Sequence, residues 1–273
     1  MRERSLPARG RNAPVRWLAA VALAFGTAAL PACSQPPSGV DSRTVRYNGL
    51  DYHVVRIDLR TQRLGLYWRD PGNDQPFSSI DALKAWGESD GRHLLFAANA
   101  GIYDHKGAPL GLYVENGKTL VPLNTVHGDP RAGNFSLQPN GVFAIDANGQ
   151  ASVMTTRAFH AARPRVRWAT QSGPMLVIGG QLNAQFLADS NSLKWRSGVC
   201  AVTPHQVVFA ISEAPVNFHT FGELFLKRLG CDNALYLDGT ISQMYVDGQG
   251  YFGAPGFMVK PYAGMFAVFG KRR

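Results

Sequence analysis

Residues 233–243 read Asn233-Ala-Leu-Tyr-Leu-Asp-Gly-Thr-Ile-Ser-Gln243. Four apolar residues stop abruptly at an acid, a glycine and a polar turn. A short apolar run with such a boundary predicts a buried strand. Asp238 then stands at the strand's tip, where a rigid backbone presents a side chain to a loop-lined opening. The same pattern recurs along the chain. Residues 93–98 run into Asn99-Ala-Gly-Ile-Tyr-Asp104, and Gln171-Ser-Gly-Pro174 precedes the apolar run 175–178. Trp195-Arg-Ser-Gly198 opens the run 198–203, and 206–211 ends on Ser212-Glu213. Gly133-Asn-Phe-Ser136 lies near Pro139-Asn-Gly141.

Working outward, residues 52–59, 64–68, 110–115, 118–121, 141–146, 150–154 and 265–269 also read as strands. Asn116-Gly117 joins two of them as a type I′ hairpin signal. Two helices are expected. One has Ser78 as N-cap, Asp81 in its first turn and Gly87 at its end. The other has Thr220 as N-cap and Glu223 as its capping-box partner. Phe221, Leu224, Phe225 and Leu229 form its apolar face, and Gly230 closes it. The fold class is α+β: a strand-rich mixed sheet with few helices, in one domain over residues 44–273.

The 273 residues are 45% apolar and 17% charged, which excludes a disordered chain and a polytopic membrane protein. The formal charge is +9. Residues 1–32 hold five Arg and one Glu, leaving 23 basic and 18 acidic residues for the rest. That excess suits a phosphate-bearing partner without demanding one. Nucleic acid is not expected as a partner. Arg157, Arg163, Arg165 and Arg167 surround Pro164. They read as a solvated loop, with a subsite for an anionic polymer as the sharper alternative.

The front of the chain reads as an address. An Arg-rich start precedes Trp17-Leu-Ala-Ala-Val-Ala-Leu-Ala-Phe-Gly-Thr-Ala-Ala-Leu30, a run too short to span a bilayer. This is the form of a signal peptide over residues 1–32. Leu30-Pro-Ala-Cys33 resembles a bacterial lipobox, which implies export, lipidation of Cys33 and a place on the periplasmic side of the envelope as an outer-membrane lipoprotein. Residues 33–43 then form a lipid-anchored tether. Export leaves Cys200 and Cys231 in an oxidising compartment, as a disulfide or as two buried thiols. No CxxC, HExxH or clustered His is present, so neither a metal nor another cofactor is expected. Nothing in the sequence sets an oligomeric state.

Taken together, six segments resemble the phosphodiester glycosidase family, in a bacterial lipoprotein-like branch. They are Asn-Ala-Gly-Ile-Tyr-Asp at 99–104, Gly-Leu-Tyr-Val-Glu-Asn-Gly at 111–117 and Gly-Asn-Phe-Ser at 133–136. The others are Gln-Ser-Gly-Pro-Met-Leu at 171–176, Arg-Ser-Gly-Val at 196–199 and Asn-Ala-Leu-Tyr-Leu-Asp-Gly at 233–239. The family's animal member removes N-acetylglucosamine from sugar-1-phosphodiesters. Many members follow Leu-Asp-Gly with Gly-Ser, where this chain has Thr240-Ile241-Ser242.

The resemblance implies an exported glycosidase acting on a sugar-1-phosphodiester or related envelope glycan. The alternative is a lipid-tethered glycan-binding protein that has lost turnover. Cleavage at the anomeric carbon builds positive charge on the sugar and negative charge on the phosphate. Asp238 suits the first as nucleophile or general base, with Glu213 as partner carboxylate. Arg196 suits the second as a bidentate phosphate clamp. Asn99, Tyr103, Asn134, Gln171, Ser172, Thr240 and Ser242 are candidates for contact with sugar or phosphate. Gly101, Gly173 and Gly239 permit close approach of backbone.

Overall fold

Short apolar runs, buried on both faces of their strands, organise the chain. A computed structural model describes residues 40–104, 106–126, 135–258 and 260–271. Cys33 and Asn134 lie outside them, as do the segments expected as signal peptide and most of the tether. The first sheet has seven strands. In spatial order they are β1 (Asp41–Tyr47), β2 (Leu50–Asp58), β13 (Gln206–Ser212), β12 (Arg196–Thr203), β14 (Ala234–Gly239), β10 (Met175–Ile178) and β11 (Gln181–Leu182). The second runs β16 (Gly250–Gly253), β15 (Gln243–Val246), β4 (Arg92–Asn99), β17 (Met265–Lys271) and β3 (Leu64–Tyr67). The third runs β6 (Lys118–Val121), β5 (Tyr113–Glu115), β9 (Val166–Ser172), β7 (Gly141–Asp146) and β8 (Ala151–Thr155). The strand-rich α+β fold with few helices is as expected. Its strands divide into three sheets, and the pairings within them are antiparallel.

The inner faces of all three sheets meet in one core. Val207, Phe209 and Ile211 of β13 face Phe96 of β4, Phe266 and Val268 of β17, and Phe143 and Ile145 of β7. Phe209 lies 4.9 Å from Phe96 and 5.0 Å from Phe266, centroid to centroid. The alternate residues face outward, and each outer face is covered by one helix. Val208, Ala210 and Tyr236 pack with Phe221 of α3 (Phe218–Glu223). Leu94, Met265 and Ala267 pack with Leu83 of α1 (Ile80–Ser89). Val142, Ala144 and Ala169 pack with Phe159 of α2 (Thr156–Ala162). Each buried Phe or Leu contributes about 1.5–3 kcal/mol. A one-residue slip would turn a whole row to the wrong side, so register is strongly specified.

Several boundaries differ from the expectation. β1 begins at Asp41, inside the stretch expected as tether, because Asp41 through Tyr47 pair with β2. Ser79, not Ser78, caps α1, accepting from Ala82 N at 3.1 Å. Gly87 lies within α1, where a Cβ would collide with the Phe269 ring. Asn217, not Thr220, caps α3: its Oδ1 accepts from Thr220 N at 2.9 Å. A π-helical turn, Leu224–Arg228, continues α3. Of the basic stretch expected as a loop, Arg163 and Arg165 lie in the short link around Pro164, while Arg157 lies in α2 and Arg167 at the start of β9. Cys200 of β12 and Cys231 are joined as a disulfide, Cα to Cα 6.1 Å. Cross-links of this kind typically contribute about 2–4 kcal/mol.

Candidate active site

The C-terminal tips of β4, β9 and β14 come from three different sheets and converge. Ser172 Oγ of β9 donates to Leu237 O of β14 at 3.2 Å. Thr170 Oγ1 donates to Ala100 O at 2.6 Å. Asn99 Nδ2, at the tip of β4, donates to Asp238 Oδ2 at 2.6 Å. Asn99 Oδ1 in turn accepts from Gln243 N at 3.3 Å, and Gln243 Oε1 accepts from Tyr262 Oη at 2.9 Å. β14 carries one extra residue here: Ser197 pairs with Asp238, but Gly198 pairs with Tyr236. Such a bulge re-aims the following side chain. It directs Asp238 towards Asn99 of the neighbouring sheet.

Asp238 also accepts from Gly239 N at 2.6 Å. Burial pushes its carboxyl up to about 7, against the opposing pull of Gly239 N–H, Asn99 and the Lys194 ammonium. The carboxylate keeps an open side, lining a cavity of about 480 Å³ with Tyr103, Thr240, Phe257 and Lys260. A neighbouring opening of about 650 Å³ shares Tyr103 and Lys260 and adds Asp104, Lys106 and Tyr262. Burial holds the Tyr103 and Tyr262 hydroxyls above the usual tyrosine range, and the Asp238 charge adds to it. Both therefore keep their protons at neutral pH.

Two residues show why local sequence matters at this tip. A Cβ on Gly239 would collide with the Tyr236 hydroxyl. Thr240 has φ +71°, a left-handed conformation that a β-branched residue adopts only under strain. A glycine would take this conformation without strain. Thr240 N is held by Trp195 O at 3.0 Å.

The other expected site residues are placed differently. Gln171 makes four hydrogen bonds: Oε1 accepts from Leu112 N and Asn124 N, and Nε2 donates to Asn124 O and Thr156 Oγ1. It clamps the loop beside the site. Gly101 has φ +127° and lies against Thr170 and Ser172, while Gly173 leaves room for Asn140. Ser242 is buried and accepts from Ser197 Oγ at 3.1 Å. Glu213 is exposed beside Asp51 and Gly253 N–H, away from the opening that Asp238 lines. Partial covering of its carboxyl group raises it first, the Gly253 N–H opposes this, and the Asp51 charge adds to the rise.

Arg196 pairs with Gly239 but leaves the sheet on the opposite face, 0% exposed. Its Nε donates to Val216 O at 2.8 Å and one terminal nitrogen to Ser192 O at 2.9 Å. The guanidinium lies 3.5 Å over the Phe218 ring and is hydrogen-bonded to Tyr236. The cations near Asp238 are instead Lys260 and Lys194, which the sequence patterns did not single out. The signal for Lys260 was a Gly- and Pro-bounded loop carrying Phe257, which is 90% exposed. Among the described residues, no group of three or more His, Cys, Asp or Glu is gathered for a metal.

The chain belongs to the phosphodiester glycosidase family, which residues 92–269 match. It is 36% identical over 219 residues to the uncharacterized protein YigE of Escherichia coli (strain K12), covering 80% of this chain and 82% of that one. Its fold is shared with the zebrafish N-acetylglucosamine-1-phosphodiester alpha-N-acetylglucosaminidase catalytic domain, auto-inhibited by its pro-peptide. That superposition has TM-score 0.56 at 14% identity and covers 86% of this chain and 84% of the other. A hypothetical protein from Synechocystis superimposes with TM-score 0.53 at 15% identity, over 84% of this chain and 61% of its own.

Proposed function

We propose that this protein is an exported glycosidase that hydrolyses a sugar-1-phosphodiester or a related envelope glycan. The observation that carries this reading is Asp238. It is a largely desolvated carboxyl raised to about 7 that still opens onto a cavity rimmed by Lys260. Perturbed groups of this kind in a cleft mark functional sites. In its ionised form Asp238 acts on the anomeric carbon, directly as nucleophile or by taking a proton from the attacking water. Asn99 and Gly239 N–H fix the carboxylate's direction. Lys260 and Lys194 offset the charge that develops on the departing phosphate. The protonated Tyr103 hydroxyl donates to sugar or phosphate oxygens, and its ring faces the sugar's C–H surface.

Turnover of nitrophenyl sugars and of sugar-1-phosphodiesters tests the reading. Hydrolysis of a phosphodiester that depends on Asp238 is the expected result. Saturable sugar binding without turnover of any of them would instead make the chain a tethered glycan-binding protein. The cellular address is part of the same proposal: signal peptide over residues 1–32, lipid on Cys33, periplasmic face of the outer membrane. The Cys200–Cys231 disulfide supports an oxidising destination. Cys33→Ser should move the protein from the membrane fraction to the soluble one. Retention in the membrane fraction without Cys33 would sink the lipid-anchor assignment.

A further inference from the structure

β4 runs between two openings. Its last residue, Asn99, holds Asp238, while its first, Arg92, lines a separate cavity of about 510 Å³. Seven residue steps at about 3.3 Å place the two roughly 23 Å apart. The second cavity lies where β3 of the second sheet meets β7 and β9 of the third. Its walls include Arg63, Tyr67, Arg92, Asp146, Arg167 and Trp168.

Two kinds of surface meet there. Trp168 and Tyr67 are half-buried, with ring centroids 6.3 Å apart and planes inclined by 31°. They offer adjacent flat apolar faces. Around them stand three guanidinium groups. Arg92 is paired with Asp90 at 2.8 Å and lies over the Trp86 and Phe269 rings. Arg167 is exposed, lies 5.8 Å over the Trp168 ring, and donates through Nε to Asn116 Oδ1 at 3.0 Å. Arg63 is exposed, and neither it nor Arg167 has an acidic partner among the described residues. The acid in the wall, Asp146, is occupied by its own turn, accepting from Asn148 N and Gln150 N at 2.8 Å. Asp90 pairs with Arg92, and Glu115, which acts on Tyr67, has its carboxyl raised to about 7 by burial, so Arg63 and Arg167 are left as the exposed charges of the rim.

We infer that this cavity is a second carbohydrate site, separate from the candidate active site, for a sugar bearing a carboxylate or phosphate. The sugar's C–H face packs on Trp168 and Tyr67, and its anionic group takes the donors of Arg63 and Arg167. Guanidinium binds either anion bidentately, and half-buried aromatic rings in a cavity wall suit a ring with one apolar side. The Arg-rich stretch that runs into β9 thus contributes Arg167 to a site at the far end of the fold. Such a site retains the protein on an acidic glycan without taking part in bond cleavage.

Calorimetric titration with trigalacturonate, glucose 1-phosphate and neutral maltotriose tests this on wild type and on Arg63→Ala/Arg167→Ala. Both replaced side chains are exposed, so the variant should fold, and its thermal unfolding checks that. At least one acidic sugar should bind saturably to wild type and at least tenfold more weakly to the variant. The arm that binds distinguishes carboxylate from phosphate. Turnover at the Asp238 site on a neutral nitrophenyl sugar should be unchanged, so failure of either reading is separately visible. Absence of binding by both acidic sugars overturns the inference. So does equal affinity in the variant, or maltotriose binding as tightly as the acids.

Discussion

Asp238→Asn should lower kcat by about 10²–10⁴-fold and leave sugar binding nearly intact. The replacement keeps the shape of the side chain but removes the charge that faces the anomeric carbon. An interaction made mainly in the transition state is lost, so kcat and kcat/KM should fall together. The wild-type pH profile should carry the same residue's signature. Burial raises the Asp238 carboxyl to about 7, and both proposed roles need the ionised form, so kcat/KM should rise with pH through that value. The rising limb should vanish in the variant.

Stability should move the other way. The folded state holds the Asp238 proton more tightly than the unfolded state, whose carboxyl titrates near its ordinary value of 3.8. The stabilisation is complete below that value and is lost as pH rises through about 7. Across this window wild type should lose stability relative to Asp238→Asn, as urea titrations at several pH values would record. Near-normal turnover in the variant would overturn the mechanism, and a pH-independent difference in stability would overturn the burial argument.

The strands buried on both faces were legible in the sequence as short continuous apolar runs. Residues 206–212 and 265–269 show this directly, because each apolar face has its own core to meet. The tips at Asn99 and Asp238 were legible for a related reason: an apolar run that stops at a polar residue locates a strand end. What the sequence hid was the choice between faces and between chemically similar caps. Ser78 and Ser79 are equally good caps by composition, and only the chain's entry geometry selects Ser79. Gln171 resembles a ligand contact until its four hydrogen bonds are seen closing a loop. β15 and β16 were missed because a short strand beginning on Gln243 and one flanked by Gly250 and Gly253 show little periodicity. Lys260 was missed because an irregular loop has no period at all.

Arg196 is the sharpest case of a side chain whose face could not be read from its neighbours, and its replacement has the second large expected effect. Arg196→Ala removes a buried cation from over Phe218, takes from the Ser192 carbonyl its donor, and leaves the Val216 carbonyl with the Lys194 N–H alone. The void and the two lost hydrogen bonds together should cost about 3 kcal/mol. Arg196 also holds Tyr236, whose hydroxyl sits beneath Gly239, the residue that follows Asp238. Loosening that support should impair a phosphodiester and a neutral nitrophenyl sugar to the same degree. Lys260→Ala should behave oppositely. Lys260 is exposed at the rim, so stability should hardly change. Losing one hydrogen bond to a charged phosphate, about 1.5–3 kcal/mol, should lower kcat/KM on the phosphodiester roughly 10- to 150-fold. The neutral sugar should be affected far less. Denaturation midpoints and kinetics of both variants on both substrates separate the two roles. An Arg196→Ala protein of wild-type stability, impaired only on the phosphodiester, would return the phosphate clamp to Arg196. A Lys260→Ala protein equally impaired on both substrates would remove Lys260 from phosphate recognition.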